Sequence, residues 1–312
     1  MTLFYFYSSC DRPGFNMEDL YETSGITRQA FHQWLNPSKS QRLKTSQEEV
    51  LEIARAVRKK YLPGSGSRVI YNYIRSGKCE EYNGRLRGWG KHAFERACLK
   101  GGMRVQQRRI ILKTTNRGDY VFPNLIEGSS IVGINKIWVS DISYIFGDGG
   151  SLIGYSTSLL DLYSRMLLGL SFSKTMQATE TSVQVLKQAF AIRGLQEYPD
   201  LIFHSDGGKQ FIEKSFLYLL GSKQIHSSMA ETCYENSFAE SFNDILKNHM
   251  MHDMTLNSFS QLKKQEQFIK SCYNNNRPHG SLNNLTPVES EQILVHLSMN
   301  KRVPLLVNSN AI

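Results

Sequence analysis

Two periodicities divide the chain. Up to about residue 100 the apolar positions recur at helical spacing, whereas from Lys136 they crowd into short β-branched and aromatic runs. In the first part, Met17–Tyr21 predicts a short helix, Ser24-Gly25-Ile26 a tight turn, and Arg28–Leu35 a second helix, N-capped by Thr27 and closed by Pro37. That is the pattern of a helix-turn-helix, with Arg28, Gln29 and His32 where such modules address DNA, although an ordinary helical hairpin shares it. Ser46–Tyr61 predicts an amphipathic helix with Val50, Leu51, Ile53, Ala54 and Val57 on its apolar side. Arg55, Arg58, Lys59 and Lys60 crowd its end, where cations also suit the helix dipole. Beyond the turn Leu62–Ser67, helices are expected at Arg68–Ser76 and Trp89–Lys100, then a basic stretch at Arg104–Arg109 and a less regular connection over 114–135.

In the second part, Lys136–Ile145 predicts a strand, Asp148-Gly149-Gly150 a hairpin turn, Leu152–Leu162 a second strand and Arg165–Phe172 a third. A helix over Ala178–Ile192, a strand over Leu201–Asp206, a helix over Phe211–Leu220 and a strand over Ile225–Met229 follow, then helices over Asn236–Met250 and Phe259–Tyr273. An antiparallel meander running into alternating units defines an α/β domain on a mixed five-stranded sheet.

Charge changes this picture most. Residues 1–130 carry 22 Lys/Arg against 12 Asp/Glu, whereas 131–312 carry 15 against 16, so the whole excess of the +9 net charge lies with the helical part. A basic region beside a near-neutral domain points to a polyanionic partner, nucleic acid first; the plain alternative is a solvated surface. No apolar run approaches the roughly 20 residues of a membrane span, so no membrane partner is expected. The aromatic N-terminus lacks the basic flank of a signal peptide. The five cysteines, Cys10, Cys79, Cys98, Cys233 and Cys272, show no C-x-x-C pair, which argues against a zinc module or disulfide framework and for a reducing, cytoplasmic setting.

Three acids carry the candidate chemistry. Asp141 interrupts an apolar and hydroxylic strand, where an isolated carboxylate is costly without a metal, a partner or an opening to water. Asp206 ends the next alternating strand ahead of Gly207-Gly208, at the sheet edge where α/β proteins bind ligands. Glu240 lies on a later helix, on one face with Asn236 and Asp244 and with Lys247 alongside. Carboxylates from three separate elements can hold a pair of Mg²⁺ ions for in-line phosphoryl displacement. Taken singly, each is more often an edge, turn or solvated residue. No Gly-rich nucleotide loop is present, so ATP use is not expected.

Several stretches together resemble the bacterial insertion-sequence transposases with a retroviral-integrase-like core, in particular the two-reading-frame group called insertion sequence three. They are Trp138–Tyr144, Leu160–Arg165, His204–Phe211, Glu235–Phe242 running on to Leu246-Lys247, and Tyr273–Leu282 with Leu285-Thr286-Pro287. The resemblance covers 136–290; Ile26–Phe31 and Gly66-Ser67-Arg68 resemble the group's helical DNA-binding region more loosely. It implies a ribonuclease-H-like fold, with residues 1–113 as a basic helical DNA-binding region, 114–135 as linker, 136–255 as catalytic core and 256–312 as a C-terminal helical extension. It implies Asp141, Asp206 and Glu240 as catalytic and metal-holding residues, with two Mg²⁺ ions or Mn²⁺ in their place.

The activity implied is cleavage and joining of DNA, at the inverted-repeat ends of the element and in target DNA. A homo-oligomer on DNA, an upstream-frame partner protein and a nucleoid-associated location follow by the same likeness. Lys209 and Gln210, past the second Asp, are placed to meet phosphates, with Asn236 and Lys247 beside the metals and Arg277 as a further phosphate ligand. His204 can orient a ligand or simply satisfy a strand end, and Asp161 is expected to be structural or ion-paired. One departure stands out: 33 residues separate Asp206 from Glu240, two fewer than the group commonly has, and Glu231 and Glu235 are rival acids. The competing readings are a DNA-binding repressor or inactive relic, and a ribonuclease-H-like nuclease.

Overall fold

The computed structural model describes Glu18, Tyr21, Glu22 and residues 25–35, 44–105, 122–230 and 236–307. The helix expected at Met17–Tyr21 lies largely outside them, as do Pro37, the basic stretch beyond Val105, Cys10, Cys233, Glu231 and Glu235.

Helix α1 (Arg28–Leu35) begins where Thr27 Oγ1 accepts the amide of Ala30 at 3.2 Å, the cap the sequence indicates. Helix α2 (Gln47–Lys60) is capped in the same way by Ser46 Oγ, which accepts the Glu49 amide at 3.1 Å. With α3 (Ser67–Arg75) and α4 (Lys91–Lys100) it encloses Val50, Val57, Ile70, Ile74 and Phe94. The cations at its end are already engaged in part, Arg58 with Asp253 at 2.8 Å and Lys60 with Glu81 at 3.3 Å.

Strand β1 (Ser130–Ile131) pairs antiparallel with β7 (Leu305–Leu306), an association of remote segments that nothing in the sequence announces. The main sheet holds β2 (Ile137–Phe146), β3 (Leu152–Asp161), β4 (Leu167–Ser173), β5 (Ile202–Ser205) and β6 (His226–Met229) in the order β4-β3-β2-β5-β6. The β2–β3 and β3–β4 pairs are antiparallel, the β2–β5 and β5–β6 pairs parallel. Helices α5 (Ser182–Arg193) and α6 (Lys214–Gly221) cover one face, packing Leu186, Ala189 and Phe216 on Trp138, Leu159 and Phe203. Each such fully buried large side chain stabilises by about 1.5–3 kcal/mol relative to exposure. A Cβ on Gly169 of β4 would lie 2.6 Å from the Val185 backbone, so α5 sits as close to the sheet as a glycine permits.

The opposite face receives α7 (Ser237–Asp244), whose Ala239 and Phe242 pack with Val139 and Leu160. This order, an antiparallel meander extended by two parallel strands with helices on both faces, is the ribonuclease-H-like arrangement. The continuous helix expected over Asn236–Met250 changes character on the way, because Ile245–Met250 is π-helical. Helices α8 (Phe259–Lys264) and α9 (Glu266–Ser271) follow, and a second π-helical stretch at Cys272–Asn276.

Helix α10 (Pro287–His296) opens on a capping box: Thr286 Oγ1 accepts the Glu289 amide at 3.3 Å, and Glu289 accepts the Thr286 amide at 2.9 Å. It is tied to the sheet by a buried ionic cluster in which Arg193 donates to Glu291 at 2.6 and 2.7 Å and to Asp161 at 3.3 Å. Asp161 also accepts the amides of Asn135 at 2.7 Å and of Tyr163 and Ser164 at 3.1 Å. Asp161 thus has the ion-paired role expected of it, with Arg193 as partner and not the neighbouring Arg165.

The turn after α2 is seated on the far end of the α7 segment. Gly64 has φ +65°, and a Cβ there would fall 1.2 Å from the His249 carbonyl oxygen. Its amide donates to Asp253 at 2.9 Å, Arg277 donates to Ser65 at 3.1 Å, and the Cys272 thiol meets the Tyr61 carbonyl at 2.8 Å. The described cysteines, Cys79, Cys98 and Cys272, are free and buried. Among the described residues no helix is long and apolar enough to cross a membrane.

Candidate active site

Sheet register brings the two aspartates side by side. β2 and β5 run parallel with Ser140 opposite Ser205, so Asp141 and Asp206 each stand one residue beyond a paired position. The alternation of β2 turns Asp141 toward the α7 face, the side of Val139 and Ile145. Asp206 has already left β5, and its Oδ1 accepts the Gly208 amide at 3.2 Å. Glu240 comes from α7, whose N-cap Asn236 is buried and donates to the Ser140 carbonyl at 3.1 Å, tying the helix start to the strand that bears Asp141. One turn on, Asn243 donates to Asp141 Oδ2 at 2.6 Å.

A cleft of about 360 Å³ opens between β2 and the α7 segment. Asp141, Glu240, Asn243, Asp244 and Lys247 line it together with the apolar Phe146, Met251, Met254 and Leu256. Asp206 adjoins it and acts on both other acids through its charge. The Asp141 carboxyl is pushed up to about 8, first by burial and then by the charges of Asp206 and Glu240, against the opposing Ile142 amide and Lys247 ammonium. Burial also raises Asp206, with the Gly208 amide opposing. Glu240, exposed at the rim, is raised by partial desolvation and by Asp206. Burial lowers Lys247, while Asp141 and Asp244 pull it the other way.

Three carboxylates that repel one another in a half-dry cleft, with oxygen as their only donor atom, suit a hard divalent cation in donor type and in charge. Among the described residues no three His, Cys, Asp or Glu side chains close into a ligand set. Asp141 and Glu240 thus share the cleft and Asp206 adjoins it, without the three being drawn onto a single point.

The remaining candidates are placed unequally. Lys247 is in the cleft. Lys209 is exposed on the 3₁₀ turn Lys209–Phe211 just past Asp206, whereas the Gln210 carbonyl accepts from Ser182 at 2.8 Å. Arg28, Gln29 and His32 are exposed on α1, remote in sequence from the cleft. Asn236 and Arg277 are buried, 3% and 8% exposed, and spend their donors on Ser140 and Ser65. His204 is buried in the sheet with Nδ1 at 2.9 Å from Ser228 Oγ. Asn243 escaped the sequence reading, although it lies three residues past Glu240 on the same helix, the spacing of side-by-side helical neighbours.

With this geometry in view, the comparisons with known proteins converge. Residues 133–233 and 222–287 match two family models, each described as an integrase core domain. The chain is 26% identical over 272 residues to the 31 kDa protein of insertion element IS600 from Shigella sonnei, covering 84% of this chain and 94% of that protein. It is 28% identical to the transposase of insertion sequence IS904 from Lactococcus lactis, covering 54% of this chain and 67% of the relative. It is 29% identical to the transposase InsF of insertion sequence IS3A from Escherichia coli, covering 61% and 66%. Among solved structures, the HTLV-2 integrase catalytic core domain in complex with magnesium overlays with a TM-score of 0.38 at 18% identity, covering 50% of this chain and 94% of that one. A simian T-cell lymphotropic virus intasome overlays with a TM-score of 0.41 at 14% identity, covering 83% and 78%.

Strand order and matched models together define an integrase-core protein, a polynucleotidyl transferase of the DDE type. The chain is similar to the transposases of bacterial insertion sequences, that of IS3 among them.

Proposed function

We propose that this DNA transposase cuts and joins DNA through Asp141, Asp206 and Glu240 as its catalytic, metal-holding carboxylates. The observation that carries the reading is Asp141 within β2 and Asp206 just past β5, each one residue beyond the Ser140–Ser205 register pair, with Glu240 of α7 beside Asp141 in one cleft and the charge of Asp206 felt by both. Divalent cations, two Mg²⁺ or Mn²⁺ ions, supply activation of the attacking hydroxyl and stabilisation of the leaving oxygen when bound. The chain's own groups do the positioning. Asn243 fixes the Asp141 carboxylate, Gly207-Gly208 keep side-chain bulk off the sheet edge, and Lys247 offers a cation to a DNA phosphate at the cleft.

Lys209 and Gln210 extend that contact, and α1 presents Arg28, Gln29 and His32 to the inverted-repeat ends of the element. In this scheme 1–113 is the DNA-binding region, 114–135 the linker, 136–255 the core and 256–312 the extension. The protein works in the cytoplasm, with the nucleoid, as a homo-oligomer holding two ends and target DNA, alongside an upstream-frame protein. Strand transfer on duplexes carrying the element ends, with Mg²⁺ or Mn²⁺, tests the scheme. Wild type is expected to join ends and Asp206→Asn to bind them without joining. Equal binding with no joining by either protein overturns the proposal, and cleavage confined to RNA–DNA hybrids would make the protein a nuclease instead.

A further inference from the structure

Asn243, the penultimate residue of α7, is 7% exposed. With Asn236 and Glu240 it forms one stripe of the helix, at i, i+4 and i+7. The asparagines at the two ends of the stripe both donate to β2, but to different kinds of acceptor. Asn236 serves the Ser140 carbonyl at 3.1 Å, a main-chain group of a fully buried residue that needs a protein donor. Asn243 serves Asp141 Oδ2 at 2.6 Å, on a carboxylate that borders the cleft, where water can donate as well.

The Asn243 amide also carries a cost. An ionised carboxylate only accepts, so the nitrogen has to face Asp141 and the carbonyl has to face away. That Oδ1 is buried and has no partner among the described residues. A buried carbonyl without a donor destabilises a fold, and leucine, with the same branched outline, would remove it. Packing alone therefore gives no reason for an asparagine here. Its donor reaches one group, and that group belongs to the candidate catalytic set.

Charge explains what Asp141 gains. Asp206 and Glu240 are like-charged neighbours, and repulsion turns an unrestrained carboxylate away from both. Among the described residues no side chain other than Asn243 hydrogen-bonds Asp141. A lysine or arginine in that place would hold the carboxylate but also cancel the charge that draws a divalent cation. A neutral amide holds it and leaves the charge. Glu240 stands one turn earlier on the same helix, so the bond also fixes the gap between Glu240 and Asp141 that a shared cation has to span. We infer that Asn243 is a positioning residue of the cation site, orienting Asp141 toward a divalent cation and setting its distance from Glu240, at a cost to the stability of the fold. The inference rests on the reading of Asp141 as a cation-holding carboxylate, and its test separates the two.

Mn²⁺ is titrated into the full-length protein, with free Mn²⁺ counted by electron paramagnetic resonance, and urea unfolding is followed separately in EDTA. Wild type is expected to bind Mn²⁺, and Asp141→Asn to lose most of that binding. Asn243→Leu should weaken it by at least about tenfold, the size of effect that partners of metal-holding side chains have, while its urea midpoint stays level with wild type or rises. Asn243→Ala, which removes the donor without adding apolar bulk, should weaken Mn²⁺ binding alongside it. Asn243→Gln, which keeps the donor on a longer stem, should recover part of the affinity. A packing role predicts the reverse for Asn243→Leu, a lower urea midpoint with Mn²⁺ affinity unchanged in the folded protein, and that result overturns the inference. If Asp141→Asn binds Mn²⁺ as wild type does, the reading of Asp141 falls and the role of Asn243 with it. If Asp141→Asn loses binding while Asn243→Leu and Asn243→Ala keep it, the role of Asn243 alone falls.

Discussion

The three candidate acids are held in two different ways. Asp141 and Asp206 inherit their separation from the β2–β5 ladder, whose Ser140–Ser205 register cannot slip by one residue without turning every side chain to the opposite face. Glu240 has no ladder. It stands on α7, an eight-residue helix that gives way to π-helical backbone immediately after Asp244. Its position rests on Phe242 and Ala239 in the core, on the Asn236 bond to Ser140 and on the Asn243 bond to Asp141. Main-chain pairing thus sets two members of the site, and side-chain packing sets the third. Substitutions remote from the chemistry should therefore disturb Glu240 more readily than either aspartate.

The largest effect tests what the two classes share. Asp141→Asn or Asp206→Asn should lower strand transfer by at least about a thousandfold while leaving end binding intact, because only transition-state stabilisation is lost. Residual transfer within tenfold of wild type would remove that residue from the chemistry.

Phe242→Ala separates the classes. It should destabilise the protein by about 3 kcal/mol in urea unfolding, as expected for truncating a buried aromatic ring, and lower transfer in the protein that remains folded. Transfer at the wild-type rate per folded molecule would mean that core packing does not place Glu240.

Asn236→Ala leaves the Ser140 carbonyl without its amide donor and should cost about 1–2 kcal/mol. A smaller fall in transfer should accompany it, measured against Asp244→Asn, whose carboxylate has no such tie to β2.

The last test is a pH slope behind α7, away from the acids altogether. Burial, and then the charges of Arg277 and Arg165, lower the His279 imidazole from 6.5 to about 3. The unfolded chain therefore takes up this proton first. The contribution is complete above the ordinary histidine value and is lost as the pH falls below it, at up to about 1.4 kcal/mol per unit. Acid titration of stability should show that slope flattened in His279→Gln; an unchanged slope would assign it to other groups.

The strands of the sheet were legible because alternation and turn residues are local, and their expected and observed limits differ by a residue or two at most ends. What remained hidden is long-range. The π-helical change at Ile245 has no composition of its own, since Leu246 and Met250 still fall on an apolar face. The β1–β7 pair joins segments too short and too distant for any periodicity to reveal. Arg277 reads as a phosphate ligand, yet the turn after α2 buries it against Ser65. By contrast, Thr286-Pro287-x-Glu289 did carry a local signal for α10, a capping residue with proline in the first helical turn.

Gly64 gives the N-terminal helices a property of their own. Where most neighbouring modules meet through side chains that can be exchanged a few at a time, here main chain rests on main chain, with no room for a single carbon between residue 64 and His249. The helices from Gln47 to Lys100 are accordingly not a cassette to be traded between relatives by matching surface residues. A graft that brings any other residue to position 64 would arrive with its own spacer, tilting the whole module about the end of the segment that carries Glu240.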